Sequence, residues 1–166
     1  MGLPCPLGEM TMHSMMYDDD RHWGLPDPER QPEFYDSVPT KRALAFLVDL
    51  IVSVVIAALI VPFTAFTGIF FFPFLVAVVS FAYRVITIAN GSATWGMRLM
   101  GIEFRDRKGQ RFDLGMALLH TTLFTVWCSM GLPQVVSVVL MATTARAQGL
   151  SDMILGSAAI NRPSTF

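Results

Sequence analysis

The stretch Thr40-Lys-Arg-Ala-Leu-Ala-Phe-Leu-Val-Asp-Leu-Ile-Val, ending at Val52, opens a long apolar run behind two cations and sets one carboxylate, Asp49, inside it. An acid within a membrane helix costs a few kcal/mol, so it faces protein or water and takes a partner. Arg42 lies seven residues earlier, two helical turns, so the two side chains project from one face. Two roles stay open for Asp49: a member of a structural ion pair, or an ion or proton site.

Outward from this stretch, the composition is that of an integral membrane protein of one domain. The 166 residues are 53% hydrophobic, and the apolar residues come in blocks. The net charge of -1 hides an asymmetry. Eight acids precede Thr40 against Arg21 and Arg30, whereas ten bases and five acids follow. Residues 1–38 read as a disordered acidic tail rich in Met, Pro and Asp, residues 39–162 as the membrane domain, and residues 163–166 as a C-terminal tail. The four methionines Met10, Met12, Met15 and Met16 leave a later start open. No basic region precedes an apolar one at the N-terminus, so no cleavable signal peptide is expected. Pro6 stands where a myristoylation motif after Gly2 wants Ser or Thr. Asp18-Asp19-Asp20 reads as a solvated patch rather than a metal ligand set. Cys5 and Cys128 fall in unlike surroundings, and no Cys/His cluster points to a metal site. No cofactor is implied.

Thr40 is the expected N-cap of a first membrane helix over about 41–61. From Arg42 to Arg84 the sole charge is Asp49, and that interval is too long for one crossing of roughly 20 residues. Pro62, Gly68 and Pro73 punctuate it, so the chain is expected to return over about 69–89 as a hairpin. Asp49 then lies roughly 9 Å in from one end and Arg84 roughly 8 Å in from the other, at about 1.5 Å per residue. The two are a candidate ion pair with Arg42 above it, or Arg84 snorkels to the headgroups.

Residues 90–113 form a basic connector holding Arg98, Arg105, Arg107, Lys108 and Arg111. The positive-inside rule assigns it to the cytoplasm, where it can meet anionic lipid. No motif supports nucleic-acid binding. Met100–Arg105 reads as a strand, Asp106–Gly109 as a turn, and Arg111-Phe112 as the start of a return strand. Asp113 can cap the next helix. The following 32 residues to Ala145 hold no Lys, Arg, Asp or Glu and are broken at Gly131-Leu132-Pro133. Two short helices are expected, about 114–130 and 133–145, as a half-inserted or re-entrant pair, with one kinked span as the alternative. His120 suggests either a proton relay or a neutral histidine bonded to backbone or Thr. Cys128 reads as core. Ser151 can cap a short helix carrying Asp152, whose role is a first-turn acid or a partner for Arg98 or Arg146. Ser157–Asn161 is expected to pair with the connector strand.

Three segments, taken in order, resemble the RDD family of small bacterial membrane proteins, named for one arginine and two aspartates. Arg42 and Asp49 match the first two, and Asp152 in Gln148-Gly-Leu-Ser-Asp-Met-Ile-Leu-Gly-Ser157 matches the third. Thr94-Trp-Gly-Met-Arg-Leu-Met-Gly-Ile102, with Thr94, Gly96, Arg98 and Gly101, is similar to the family's connector signature. Met97 stands where the family often has Lys, and Ser157 where it often has Thr. The resemblance covers about residues 39–162. It implies an all-α membrane protein of two helical hairpins, two full transmembrane helices and a shorter re-entrant pair, with a small cytoplasmic β-hairpin or sheet. It also implies a role in ion or small-solute transport, cation–proton exchange being the sharpest form. Asp49 would be the working acid, with Arg42 and Arg84 tuning it, in an inner-membrane homo-oligomer with both termini cytoplasmic. The rival expectation is a non-catalytic scaffold whose charges lock helix packing and whose acidic tail recruits a protein partner. No nucleophile–base set supports an enzyme.

Overall fold

The structure, a computed structural model, describes residues 24–64 and 67–162. The readings for Gly2, Cys5, the methionine cluster, Asp18–Asp20 and the C-terminal tail fall outside the described residues. Two long apolar helices dominate. Helix α1 (Val38–Ile60, 23 residues) and helix α2 (Phe72–Gly91, 20 residues) are roughly 34 and 30 Å long at about 1.5 Å per residue. Both suffice to cross a hydrocarbon core, and leucines, valines and isoleucines stay exposed along them. At their far ends two short 3₁₀ turns, Val61–Thr64 and Thr67–Ile69, reverse the chain. There Thr64 Oγ1 donates to Val61 O (2.8 Å) and accepts from Gly68 N (3.1 Å), supplying bonds that the broken helix lacks.

Helix α1 starts three residues before the expected boundary. Ser37, not Thr40, takes the cap position, in a left-handed conformation and with no side-chain bond. Pro39 then sits in the first turn, where its missing N–H costs nothing.

The connector begins with the short helix α3 (Trp95–Leu99), capped by Thr94, and continues as strand β1 (Ile102–Arg105). Asp106 closes the expected turn by accepting from Lys108 N and Gln110 N (2.9 and 2.6 Å). Arg111-Phe112 does not return as a strand. Instead Phe112 N donates to Ser92 Oγ (2.6 Å), and the ring stacks on Phe104. The partner of β1 is β2 (Ala158–Asn161), antiparallel, with Glu103 opposite Ile160 and Phe104 opposite Ala159.

Helix α4 (Leu114–Met130), capped by Asp113, and helix α5 (Leu132–Thr143) meet at Gly131 with a bend of 117°. Gly131 has φ +73°, a conformation open mainly to glycine, and Pro133 starts the second helix behind it. Counting the pair as one broken span gives three candidate crossings, otherwise two. Helix α6 (Leu150–Leu155) carries Asp152. Its cap position belongs to Gly149, not Ser151, and Asp152 reaches back to accept from Gly149 N (3.0 Å).

Residues 24–37, expected in a disordered tail, are largely exposed but anchored at two points. Leu25 and Tyr35 are buried with Ala158 and Ile160 on one side of the sheet. Tyr35 donates to Pro26 O (2.8 Å), and Asn161 Nδ2 donates to Glu33 O and Asp36 O (2.7 and 3.0 Å). The bonds come from distant residues, which is why a proline-rich segment with no period of its own holds a shape. The main core gathers Val38, Ala45, Ile88, Met97, Ile102, Phe104, Phe112 and Ala159 where α1, α2 and α3 meet the sheet.

Candidate functional site

Asp49 is buried on α1 at the height of α3. Its Oδ1 accepts from Tyr83 Oη (2.9 Å) and from Gly96 N (2.9 Å). Its Oδ2 faces Arg84 Nη2 at 3.6 Å. Tyr83 in turn accepts from Trp95 N (3.0 Å) and meets the Trp95 ring edge-on. The contact depends on Gly96: a Cβ there would collide with the Ala45 carbonyl and the Asp49 carboxylate. Arg84, expected either to pair or to snorkel, lies 8% exposed beneath the rings of Phe124 (4.3 Å to the centroid) and Phe46 (5.8 Å). That is a cation–π seat, favourable where water is absent.

Arg42, two turns before Asp49 on the same helix, makes its own bonds elsewhere. Its Nη1 donates to Asp152 Oδ2 at 2.5 Å and reaches toward Ala147 O (3.4 Å). Asp152 is fully buried, and its partner is Arg42 rather than Arg98 or Arg146. His120 Nε2 donates to Asp152 Oδ1 (2.9 Å), so this histidine bonds a carboxylate, not backbone or Thr. Phe104 and Phe112 flank the imidazole. Burial by itself would raise the Asp152 pKa. The Arg42 charge and the hydrogen bonds from His120 and Arg42 outweigh it and hold the carboxyl well below the usual carboxylate range.

The connector residues serve the frame. Thr94 Oγ1 accepts from Met97 N (3.2 Å), Arg98 reaches Thr87 O at the end of α2 (3.4 Å), and Gly101 O accepts from Arg162 N (2.8 Å). Glu103 went unnoticed in the sequence. Buried on β1, it binds Arg105 through both Nε and Nη2 and faces Arg162 (3.4 Å) and Arg111 (3.9 Å). The signal was there: a lone acid between two apolar strand residues, among arginines. Cys128, expected in the core, is exposed at the end of α4. Among the described residues, no group of three or more His, Cys, Asp or Glu is placed to hold a metal ion.

Between the two aspartate clusters lies a cavity of about 500 Å³, bounded by α1, α2, α4 and α5. Arg42, Asp49, Arg84 and His120 all line it, with Phe46 and Phe124 on its walls. Sites for small ligands run to roughly 300–1,000 Å³ and combine apolar walls with a few polar groups.

Comparison with curated proteins and with solved structures returned no match. Residues 37–156 match the RDD family. That range runs from the cap of α1 to the end of α6 and takes in Arg42, Asp49, the connector and Asp152; the chain is a membrane protein that belongs to the RDD family.

Proposed function

We propose that the protein takes ions or small solutes into the intramembrane cavity and passes them across the bilayer. The observation that carries this reading is the cavity itself: about 500 Å³ of space among apolar helices, touched by two guanidinium groups, a carboxylate and an imidazole. Charged groups inside a membrane domain face the bundle interior or a water-filled cavity and mark substrate or ion pathways. The α1–α2 hairpin and the bent α4–α5 pair form two hairpins, the second re-entrant. The basic connector then faces the cytoplasm beside anionic headgroups, and both ends of the domain share that side of the inner membrane. So few helices build a full pathway only as a homo-oligomer. Cation–proton exchange at Asp49 is the narrowest form of the proposal. It requires Tyr83 or Arg84 to release the carboxylate in each cycle, because both oxygens already face donors.

That same saturation favours a second reading. Asp49 and Asp152 are matched by donors from their own chain, as in a scaffold whose charges lock its helices. Ion-driven proton movement in proteoliposomes separates the two. Flux in the native protein that disappears in a still-folded Asp49→Asn variant supports transport. No flux in either, together with a pull-down partner lost on deletion of residues 1–23, supports the scaffold. A reporter fused after Phe166 tests the topology, and a periplasmic signal there removes the second hairpin.

A further inference from the structure

The cavity's polar groups are unequal. Asp49 Oδ1 is occupied by Tyr83 and Gly96, and Arg42 is engaged by Asp152, which lies behind the wall. Arg84 differs. Among the described residues it makes no hydrogen bond: Asp49 stands 3.6 Å away, the rings of Phe46 and Phe124 cover it, and the Cys128 thiol lies nearby. A guanidinium carries five donors, and a group more than nine-tenths buried normally has acceptors for them. Gln134, on α5 just past the Gly131 bend, lines the same space, and its amide too finds no partner among the described residues. Arg42 is neutralised by Asp152 just behind the lining, so the guanidinium that still has donors to offer to the cavity is Arg84. The rest of the wall is mostly apolar, with Phe46, Phe124, Val138 and Met141, and carries the His120 imidazole and the Cys128 thiol.

We infer that the cavity binds an amphipathic oxyanion, its headgroup accepting from Arg84 and Gln134 and its hydrocarbon part lying between Phe46, Phe124 and Met141. A carboxylate or phosphate oxygen suits the guanidinium fork, which prefers planar, two-pronged acceptors. A cation would meet the wrong sign at Arg84, and a fully apolar molecule would leave both Arg84 and Gln134 without acceptors. This deepens the small-solute form of the transport reading, and not its cation-exchange form, by naming the class of solute, and it rests on the same cavity.

The test is equilibrium binding of radiolabelled decanoate to the full chain in phosphatidylcholine nanodiscs. Saturable binding is expected, with decylamine and decanol at least tenfold weaker. Arg84→Gln weakens decanoate at least tenfold, and Arg84→Lys, which keeps a charge but loses the fork, weakens it less. Should Arg84→Gln not accumulate, two variants on α5 leave both charge clusters intact. Gln134→Leu lowers affinity severalfold, and Val138→Trp, which fills the cavity, abolishes binding. Displacement of decanoate by added phosphatidylglycerol assigns the site to a lipid headgroup, and lack of displacement assigns it to a free amphiphile. The inference is overturned by absence of saturable binding, by decylamine or decanol binding as tightly as decanoate, or by binding that survives Val138→Trp. Decanoate binding without ion flux would remove ion transport alone, and flux without decanoate binding would remove this inference alone.

Discussion

Two buried aspartates solve the same problem differently. Asp152, in the layer beside the sheet, holds a cation at 2.5 Å, an imidazole at 2.9 Å and a backbone N–H at 3.0 Å. Asp49, within the apolar helices, relies on a phenol and a backbone N–H at 2.9 Å, with its cation standing off at 3.6 Å. The first is a tight charge-assisted bridge between segments far apart in sequence. The second is a hydrogen-bonded anion whose counter-charge is left free to face a cavity. The difference teaches that one acid fastens the fold, while the other orders α1, α2 and α3 around an open space.

Breaking the tight bridge should cost most. Asp152→Asn leaves Arg42 buried without its counter-ion, a loss of about 3–5 kcal/mol, read from thermal unfolding in detergent. The same bridge makes stability acid-sensitive. The folded carboxyl lies below its ordinary value of 3.8, so its contribution is complete above about pH 5 and declines as pH falls through 3.8 toward the folded value. Unfolding scans between neutral pH and pH 3 should show this decline in the native protein, and Asp152→Asn should flatten it.

Exchanging the charges at positions 49 and 84 sharpens the contrast. In a simple ion pair the doubly exchanged protein recovers. Here it should not accumulate, because an arginine at 49 offers no acceptor to Tyr83 Oη and Gly96 N. Recovery, measured as membrane-inserted yield, would reduce Asp49 to a mere partner of Arg84. Gly96→Ala comes next. The added methyl meets Ala45 O and Asp49 Oδ1, prising α3 from α1 at a cost of about 1–3 kcal/mol. Tyr83→Phe is the mildest, about 0.5–1.5 kcal/mol, since Gly96 N and Arg84 still attend the carboxylate. An equal loss for Tyr83→Phe and Asp152→Asn would erase the distinction between the two sites.

Much of the frame was legible because the bilayer leaves large signatures. The charge-free runs and their Pro and Gly breaks located α1, α2 and the bend at Gly131. Depth along two antiparallel helices brought Asp49 and Arg84 to one level. What stayed hidden depended on contacts between distant segments. Arg42 and Asp152 are 110 residues apart, and Arg98 and Arg146 were nearer candidates on the chain. Residues 24–37 carry no period because Asn161 and the sheet impose their shape. His120 offered no way to foresee a carboxylate partner delivered by α6. Tyr83, beside Arg84, was passed over because a lone tyrosine in an apolar helix reads as bulk.

The Arg42–Asp152 bridge also sets an order of events during synthesis. At ~5–20 residues per second, the ribosome makes Asp152 on the order of ten seconds after Arg42. During that interval the first hairpin can enter the bilayer while its guanidinium waits for a counter-ion. A nascent chain that stalls before residue 152 therefore never acquires the clasp, and membrane proteases meet a loosely shut polypeptide. A short turn of helix far along the chain thus doubles as a seal on the first hairpin.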